Sequence, residues 1–207
     1  MSKPVKKKLT QSERVALSDE KMFEAAIALI IEQGVNNTTL KEVGERAGFS
    51  RGMAHYRFGS KENLLVELIS TSNHHWRNNL TQYVTQKDGL NAVMGALEAF
   101  EMQLLNLADE TRALYILWFE SVGHDSSVRD RLSQIHAHYR DDISQWIAEG
   151  IEEQTIRADV NPVFMAQQIC SFFFGFIYQW VVNEESVDIR NSISDYRKNL
   201  VRLLAPA

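Results

Sequence analysis

Apolar side chains recur every three or four residues along most of this 207-residue chain, and no stretch alternates apolar and polar residues over the length of a strand. This period is typical of amphipathic α-helices, whereas alternation would indicate strands. The apolar stripes are clearest at residues 64–76 and 128–146, and polar or glycine-containing breaks separate about nine such segments. The pattern therefore predicts an all-α fold of about nine helices.

Two short helices joined by a turn are predicted in the N-terminal third of the chain. Thr39 is followed three residues later by Glu42, which is the spacing of a capping box and marks the start of a helix. Gly48 supplies the left-handed conformation that ends this helix, and Ser50 is expected to cap the next one. Two helices joined by a turn of three or four residues containing glycine form a helix-turn-helix, here over residues 39–58.

The first helix of the chain has two possible starts. Thr10 stands three residues before Glu13, again at capping-box spacing, while Ser18 precedes acidic residues that suit a helix N-terminus. The sequence leaves both starts open. Gly34 is expected to end this helix, and the residues before Thr10 are expected to be disordered.

One segment near the end of the chain is apolar on almost every side. Asn161 and Pro162 give it a cap and a preferred first residue, and aromatic and aliphatic residues fill most positions up to residue 182. A helix that is apolar all round must be buried all round. We expect either the central core helix of a monomer or a two-fold contact in which the last two helices form a four-helix bundle with their symmetry mates. The second interpretation predicts a homodimer interface formed by Phe173, Gly175, Phe176, Trp180, Tyr196 and Leu200.

Charge is distributed unevenly along the chain. The net charge of −5 argues by itself against a nucleic-acid partner. Residues 1–61, however, contain 11 Lys and Arg against 7 Asp and Glu, and the remaining residues contain 11 against 20. A basic N-terminal part on an acidic body is expected where phosphates are bound at one end only. The lysines at positions 3, 6, 7 and 8 have a second interpretation, as a solubilising tail.

Other features of the sequence exclude several classes of protein. No apolar run approaches the roughly 20 residues that span a bilayer, and the basic N-terminus lacks the apolar segment of a secretory signal. A single cysteine, Cys170, fits a reducing cytoplasm. His74 and His75, like His136 and His138, lack the i, i+4 spacing of a helical zinc pair. We therefore expect a cytoplasmic protein with no metal, no cofactor and no membrane partner.

Three consecutive stretches carry a resemblance to a known family. TTLKEVGERAGFS is followed by the helix SRGMAHYRF and then by GSKENLL. Together they resemble the DNA-binding domain of the tetracycline-repressor (TetR) family. The resemblance implies a three-helix DNA-binding domain over residues 16–76 and a helical regulatory and dimerisation domain over residues 77–207. Within the second part, ALYILWFES and IRADVNP are similar to the branch of choline-responsive repressors.

The family resemblance and the chemistry of the motif together indicate a DNA interface. The second helix of the motif is expected in the major groove, where Arg51 contacts guanine or a phosphate and Met53 contacts a thymine methyl. The resemblance implies that the Tyr56 hydroxyl donates to a phosphate. Arg57 departs from the family pattern and adds a charge within reach of the DNA backbone. The full set of expected DNA contacts is Thr38, Thr39, Lys41, Ser50, Arg51, Gly52, Met53, His55, Tyr56, Arg57 and Lys61.

The second part of the chain carries aromatic residues on helices that line the ligand pocket in relatives. The set expected to bind a small-molecule effector is Trp76, Phe100, Tyr115, Trp118, Phe119, His136 and Tyr139. Such rings are able to form a cage for a quaternary ammonium cation or to hold a flat apolar molecule. They also suit an ordinary core, and the sequence does not decide among these three interpretations.

These observations predict a DNA-binding transcriptional regulator and not an enzyme, because the sequence has no metal, phosphate-loop or nucleophile motif. A two-fold dimer would present two recognition helices to a pseudo-palindromic operator whose half-sites lie about 34 Å apart. The family resemblance implies a repressor that a small molecule releases from DNA. The alternative is a helix-turn-helix protein without such a ligand, acting as an architectural factor or controlled by a protein partner.

Overall fold

The computed structural model describes residues 10–123 and 125–206, and in these residues the chain forms nine α-helices, one short 3-10 helix and no strand. The all-α prediction is therefore confirmed. The basic run at positions 3–8 and the expected disorder before Thr10 lie outside the described residues. In chain order the helices are α1 (Gln11–Asn37), α2 (Leu40–Arg46), α3 (Met53–Phe58), α4 (Lys61–Val84), α5 (Gly89–Asn106), α6 (Ala108–Ser121), α7 (Ser127–Glu152), α8 (Pro162–Val182), the 3-10 helix Glu184–Ser186, and α9 (Ile189–Leu204).

The capping box at Thr10 starts α1. The backbone N–H of Glu13 donates to Thr10 Oγ1 over 3.2 Å, and the N–H of Thr10 donates to Glu13 Oε2 over 2.7 Å. Ser18, the other possible cap, lies within the helix and is buried. Gly34 has a φ of +79° and interrupts the helical backbone, so the regular part of α1 ends where the sequence predicts.

The helix-turn-helix forms with one change to its predicted bounds. Thr39 and Glu42 make the expected capping box at the start of α2, and Gly48 has the expected left-handed φ of +81°. The prediction that Ser50 caps α3 is wrong, because α3 begins three residues later with Gly52 at its N-cap. The Ser50 carbonyl instead accepts from the N–H of Met53 over 2.9 Å and closes a turn.

The apolar core of the N-terminal helices continues into the rest of the protein. Met22, Ile30 and Leu64 are fully buried in a cluster that also contains Ala113 and Leu117 of α6. A second cluster lies among α5 to α9. The predicted domain division after residue 76 falls within the unbroken helix α4, so the helix-turn-helix rests directly on the larger body.

The inner face of α8 lies against helices of the same chain. Phe173, Phe176 and Trp180 are buried there, as is Leu200 of α9. These four predicted interface residues are therefore core residues of the protomer, because the bundle formed by one chain covers this side of α8. The half-buried Tyr196 stacks on Phe172, with ring centroids 3.5 Å apart.

The outer face of α8 remains open in the single chain. Phe164, Tyr178 and Val182 are between 49% and 66% exposed, although they are apolar or aromatic. Gly175 lies between them at helical spacing, and a Cβ added there would meet no atom within 4 Å. This outer stripe of α8, and not its inner face, is the surface available to a second subunit.

Close approach of α4 and α5 gives a stability prediction. A Cβ at Gly95 would lie 3.1 Å from the carbonyl carbon of Tyr83 and closer still to its oxygen. We expect Gly95→Ala to lower the free energy of unfolding by about 1–3 kcal/mol, because the helices must move apart. Urea denaturation followed by circular dichroism measures this loss. Gly123→Ala is the matched control, since the added Cβ meets nothing within 4 Å; equal losses in both variants would contradict the explanation.

Candidate nucleic-acid interface and effector cavity

The surface of the helix-turn-helix presents most of the residues that are expected to contact DNA. Seven of them are exposed, namely Thr39, Lys41, Ser50, Arg51, Gly52, His55 and Tyr56, and Met53 is half-buried. Tyr56 is 88% exposed, whereas an amphipathic tyrosine ring usually contacts other groups along its length. The exposed rings and cations of α2 and α3 thus form a face that a partner with phosphates would cover.

Arg51 is held at this face by a weak restraint. Its Nε lies 2.6 Å from Glu45 Oε1, but its side chain is 77% exposed. An ion pair this open to solvent contributes about 0–1 kcal/mol. Arg51 can therefore exchange Glu45 for a guanine edge or a phosphate at little cost, and both of the contacts expected from the sequence stay open to it.

Thr38 does not present its side chain to DNA. It is fully buried, and its hydroxyl donates to the carbonyl of Gly34 over 2.9 Å. The expected DNA contact is corrected to a structural role, in which Thr38 closes the turn between α1 and α2. The sequence misled here because it shows that Thr39 caps α2 but does not show whether the neighbouring Thr38 faces solvent or the interior.

Arg57 is engaged within the protein and does not extend towards a DNA backbone. Its Nε and Nη2 donate to the two carboxylate oxygens of Asp19 over 2.8 and 2.9 Å, and its guanidinium also donates to Glu67 over 2.8 and 3.2 Å. These hydrogen bonds raise the pKa of Arg57. The expected phosphate contact is therefore corrected: Arg57 ties α3 to α1 and α4. Sequence patterns missed this role because its partners are 38 and 10 residues away.

Lys61 lies at the end of α1 as well as at the start of α4. Its Nζ donates to the carbonyls of Val35 and Asn36 over 3.1 and 3.2 Å. These are carbonyls in the last turn of α1, where a cation is favourable. The phosphate contact expected of Lys61 stays a prediction, and the structure adds a second role that joins α1 to α4.

A hydrogen bond also joins the end of α1 to α6 of the larger body. The backbone N–H of Val35, which follows the break at Gly34, donates to Glu120 Oε1 over 3.1 Å. A Cβ at Gly34 would lie 3.3 Å from the same carboxylate oxygen, so glycine is needed for both the backbone angle and the approach of Glu120. No local sequence signal announces this contact, because 85 residues separate its partners.

A cavity lies among α4, α5, α6, α7 and α8, with about 960 Å³ of space that protein atoms do not fill, including its open mouth. Five of the seven aromatic residues expected at an effector site line it, namely Trp76, Phe100, Tyr115, Trp118 and Tyr139. Burial raises the pKa of both Tyr115 and Tyr139, so each phenol keeps its proton at neutral pH. The remaining wall is mostly aliphatic and aromatic.

Two residues predicted to line the effector cavity, Phe119 and His136, do not belong to its wall. Phe119 is 57% exposed and contacts Tyr178 on the outside of the protein, with ring centroids 5.4 Å apart. It lies one residue after Trp118, which turns it by about 100° around α6 and out of the cavity. His136 lies behind the wall, against the rings of Trp118 and Phe174 at centroid distances of 4.7 and 4.6 Å.

The cavity also contains polar residues that the sequence did not single out. Asn73 accepts a hydrogen bond of 2.9 Å from the Tyr139 hydroxyl, and Asp142 accepts one of 3.2 Å from Arg77. Ser72, Gln103 and Thr111 also belong to the polar part of the wall. A search for aromatic residues could not find them, because single polar residues on a predicted helix normally face solvent.

Among the described residues no cluster of three or more His, Cys, Asp or Glu could hold a metal ion, and none of the described helices is long and apolar enough to cross a membrane.

The exposed helix-turn-helix on a helical body defines a DNA-binding regulator. The family model described as "Bacterial regulatory proteins, tetR family" matches residues 23–68, and the model described as "Tetracyclin repressor-like, C-terminal domain" matches residues 114–192. The chain belongs to the TetR family of transcriptional regulators, whose members are not enzymes.

Relatives with known names cover most of the chain at low identity. The HTH-type transcriptional regulator AcrR of Shigella flexneri is 23% identical over 184 residues, which is 84% of this chain and 83% of that protein. The fatty acid metabolism regulator protein of Bacillus subtilis is 18% identical over 168 residues, covering 81% and 86%. The similarity thus extends through both parts of the chain.

Solved structures of similar fold are described with different ligands. FadR of Bacillus subtilis in complex with stearoyl-CoA has a TM-score of 0.79 at 17% identity, covering 89% of this chain and 98% of that one. The SmeT–triclosan complex has a TM-score of 0.76 at 18% identity, covering 91% and 92%. A regulator from Saccharomonospora viridis in complex with choline has a TM-score of 0.77 at 17% identity, covering 93% and 100%. At these identities the likeness shows the fold alone.

The buried position of His136 gives a pH prediction. Burial, with a smaller contribution from Arg140, lowers the pKa of His136 to about 4 from 6.5. Between these values the unfolded chain binds a proton that the folded protein does not, so stability falls as the pH falls. From pH 7 to pH 5 we expect His136 to reduce the free energy of unfolding by about 2 kcal/mol. Urea denaturation at both pH values should show a smaller loss for His136→Gln than for the unsubstituted protein; equal losses would contradict this.

Proposed function

We propose that this protein is a homodimeric transcriptional repressor that binds a pseudo-palindromic operator and leaves it when a small molecule occupies the cavity. The observation that carries the proposal is that α4 and α6 each line the cavity and also contact the end of α1 beside the helix-turn-helix. In this proposal residues 16–76 form the DNA-binding part, residues 77–207 form the regulatory and dimerisation part, and the protein acts in the cytoplasm.

The DNA-binding role of individual residues is supported by their exposure and chemistry. Arg51 and His55 are exposed at the start and middle of the recognition element, where side chains reach base edges in helix-turn-helix proteins. Lys41 and Tyr56 are exposed on the flanking surfaces and suit phosphates. We therefore assign base reading to Arg51, Met53 and His55, and backbone contact to Lys41, Tyr56 and the N-terminus of α2.

A homodimer is supported by the outer stripe of α8. Phe164, Tyr178 and Val182 are apolar or aromatic and exposed, and Gly175 between them leaves room for a second helix to approach. Exposed apolar groups that lie together on one face mark interaction surfaces. A two-fold contact along this stripe would give the dimer two copies of α3, one for each half-site of a palindromic operator.

Control by a ligand is supported by the two helices that join the cavity to the DNA-binding part. Trp76 of α4 and Trp118 of α6 line the cavity. The same helices hold the end of α1 through Lys61 and Glu120. A ligand that separates α4 from α6 would turn the helix-turn-helix relative to the body. It shifts the protein towards the released state by the difference in its affinity for the two states.

The ligands of the structural relatives support a ligand site in this fold without identifying the effector. Stearoyl-CoA, triclosan and choline are named with three of them, and these differ in charge, length and polarity. The alternative function, an architectural or partner-controlled protein without a ligand, would not need an apolar cavity of this kind. The cavity therefore favours the ligand-controlled repressor.

A salt series separates the proposed roles at the DNA. After selection of bound fragments from a DNA library, we expect Lys41→Ala to weaken binding to all fragments. The slope of the logarithm of the binding constant against the logarithm of the salt concentration should become shallower by about two, because a dimer loses two phosphate contacts. Arg51→Ala should lower discrimination against substituted guanines by about 1–3 kcal/mol if it reads a base, and should change only the slope if it contacts a phosphate.

Arg57→Gln is the matched control for these measurements. We expect it to leave the salt slope unchanged, because Arg57 is paired with Asp19 and Glu67, and to reduce the free energy of unfolding by about 2 kcal/mol. Fluorescence anisotropy and denaturation measure the two effects separately. A shallower slope for Arg57→Gln, or an unchanged slope for Lys41→Ala, would contradict the assignment.

A charge on the outer stripe of α8 tests the dimer. We expect Gly175→Asp to give monomers in sedimentation velocity, because an uncompensated charge in an apolar interface costs about 3–5 kcal/mol. The protomer should stay folded, since the substituted side chain has open space. Ser133→Asp places the same charge on an exposed position of α7 and should leave the dimer intact. A dimer that persists in Gly175→Asp would place the interface elsewhere.

A further inference from the structure

Three buried polar atoms on the cavity wall have no hydrogen-bond partner within the described residues. They are Oε1 of Gln103, Oγ1 of Thr111 and Nε1 of Trp118. Buried polar groups are nearly always hydrogen-bonded, because leaving one unsatisfied is costly. Thr111 is only 5% exposed, so bulk water does not satisfy its hydroxyl. Three such atoms on one wall point to a bound molecule that completes their hydrogen bonds.

These three atoms fall into two groups at different positions along α6 and the end of α5. Gln103 is in the last turn of α5 and Thr111 in the first turn of α6, and the single residue Leu107 joins those helices. Trp118 lies seven residues after Thr111 on the same helix, which corresponds to a rise of about 10 Å. One end of the cavity therefore offers an amide oxygen and a hydroxyl, and the other end offers an indole N–H that can only donate.

The wall of the cavity provides no positive charge for an anionic ligand, and its one negative charge already has a partner. No Lys, Arg or His belongs to the lining, so a buried carboxylate or phosphate would have no counter-charge. Asp142 is the one acidic residue of the lining, and Arg77 already pairs with it over 3.2 Å. A buried cation would have to share this carboxylate with Arg77, which donates to its Oδ2. An uncharged ligand avoids both penalties.

The shape of the wall favours flat rings. Phe100 and Phe173 stack nearly parallel, with centroids 4.2 Å apart and planes 9° apart. Trp76 and Tyr139 meet edge to face at 6.3 Å. Aromatic ligands gain from stacked and edge-to-face contacts with such rings in addition to the area that they bury.

We propose that the effector is an uncharged, elongated aromatic molecule with a hydrogen-bonding group at each end, which donates to Gln103 and Thr111 and accepts from Trp118. This inference rests on the proposed ligand control of the protein. It predicts that long-chain acyl anions and quaternary ammonium ions bind more weakly to this chain, although the fold accommodates such ligands in other proteins.

Calorimetric titration of the full protein with four molecules of one shape tests the ligand class. 4,4′-Dihydroxybiphenyl is uncharged, and its two hydroxyls lie about as far apart as the rise of about 10 Å along α6 between Thr111 and Trp118. 4-Phenylphenol lacks one hydroxyl, N-methyl-4-phenylpyridinium is a cation, and biphenyl-4-carboxylate is an anion. We expect the dihydroxy probe to bind about three- to tenfold more tightly than 4-phenylphenol, the value of one hydrogen bond, and more tightly still than either ion.

Conservative substitutions of Thr111 and Trp118 test whether their side chains cause the preference for the dihydroxy probe. Thr111→Val and Trp118→Phe should each reduce the advantage of the dihydroxy probe over 4-phenylphenol, in a double-mutant cycle with the probe's second hydroxyl. Thr111→Val should leave the melting temperature of the free protein equal or higher, because it removes an unsatisfied hydroxyl. Ser18→Ala removes another buried, unsatisfied hydroxyl far from the cavity and should leave all four affinities unchanged.

The results distinguish this inference from the proposed function. Tightest binding of the cation would overturn it and favour an aromatic cage beside Asp142, and tightest binding of the carboxylate would overturn it equally. An advantage of the dihydroxy probe that survives in both variants would show that Thr111 and Trp118 do not make these bonds. The affinities of the four probes are compared in the unsubstituted protein, so this comparison holds even if a variant fails to fold. Operator binding is measured separately, so its absence would refute the repressor and not the chemistry of the cavity.

Discussion

The backbone between Gly34 and Thr38 holds the DNA-binding helices on the rest of the protein. The positive φ of Gly34 turns the chain and exposes the N–H of Val35, which donates to Glu120 of α6. Lys61 of α4 donates to carbonyls of the same turn from the other side, and the Thr38 hydroxyl closes it. Helices α1, α4 and α6 thus meet in one turn, and the orientation of α2 and α3 depends on their relative positions.

This junction gives the cavity a mechanical connection to the DNA face. Trp118 and Glu120 are on the same helix, separated only by Phe119, with one facing the cavity and the other the junction. Because Lys61 and Glu120 tie α4 and α6 to the same turn of α1, a ligand between the two helices must either fit the existing space or move one of them. Only the difference in ligand affinity between these two arrangements changes DNA binding. An effector is therefore strong when it binds the released state much more tightly than the DNA-bound state. A molecule that binds both states equally tightly does not change DNA binding.

Local spacing predicted those parts of the structure whose partners are close in sequence. Thr39 and Glu42 are three residues apart, and their capping box forms as expected because both partners are fixed by the same helix start. Arg57 was assigned to DNA because nothing near it in sequence shows that Asp19 lies beside it in space. Phe119 was placed in the cavity because the apolar stripe of α6 is broad, and one residue of helix rotation separates the cavity from solvent. The sequence therefore predicts the helices and most of the DNA face, while contacts between distant helices need the packed structure.

The same limit explains the reversal at α8, where both faces are apolar and the sequence cannot tell which one the chain itself covers. The structure buries Phe173 and Trp180 on the inner face and leaves Phe164 and Tyr178 outside. Phe173 also lines the cavity, so a single helix separates the ligand from the surface proposed for the dimer. A ligand that displaces the inner face of α8 would act on the subunit contact as well as on α6. Because operator binding needs two recognition helices at a fixed separation, this arrangement allows one ligand to change both the tilt of each DNA-binding part and the distance between the two.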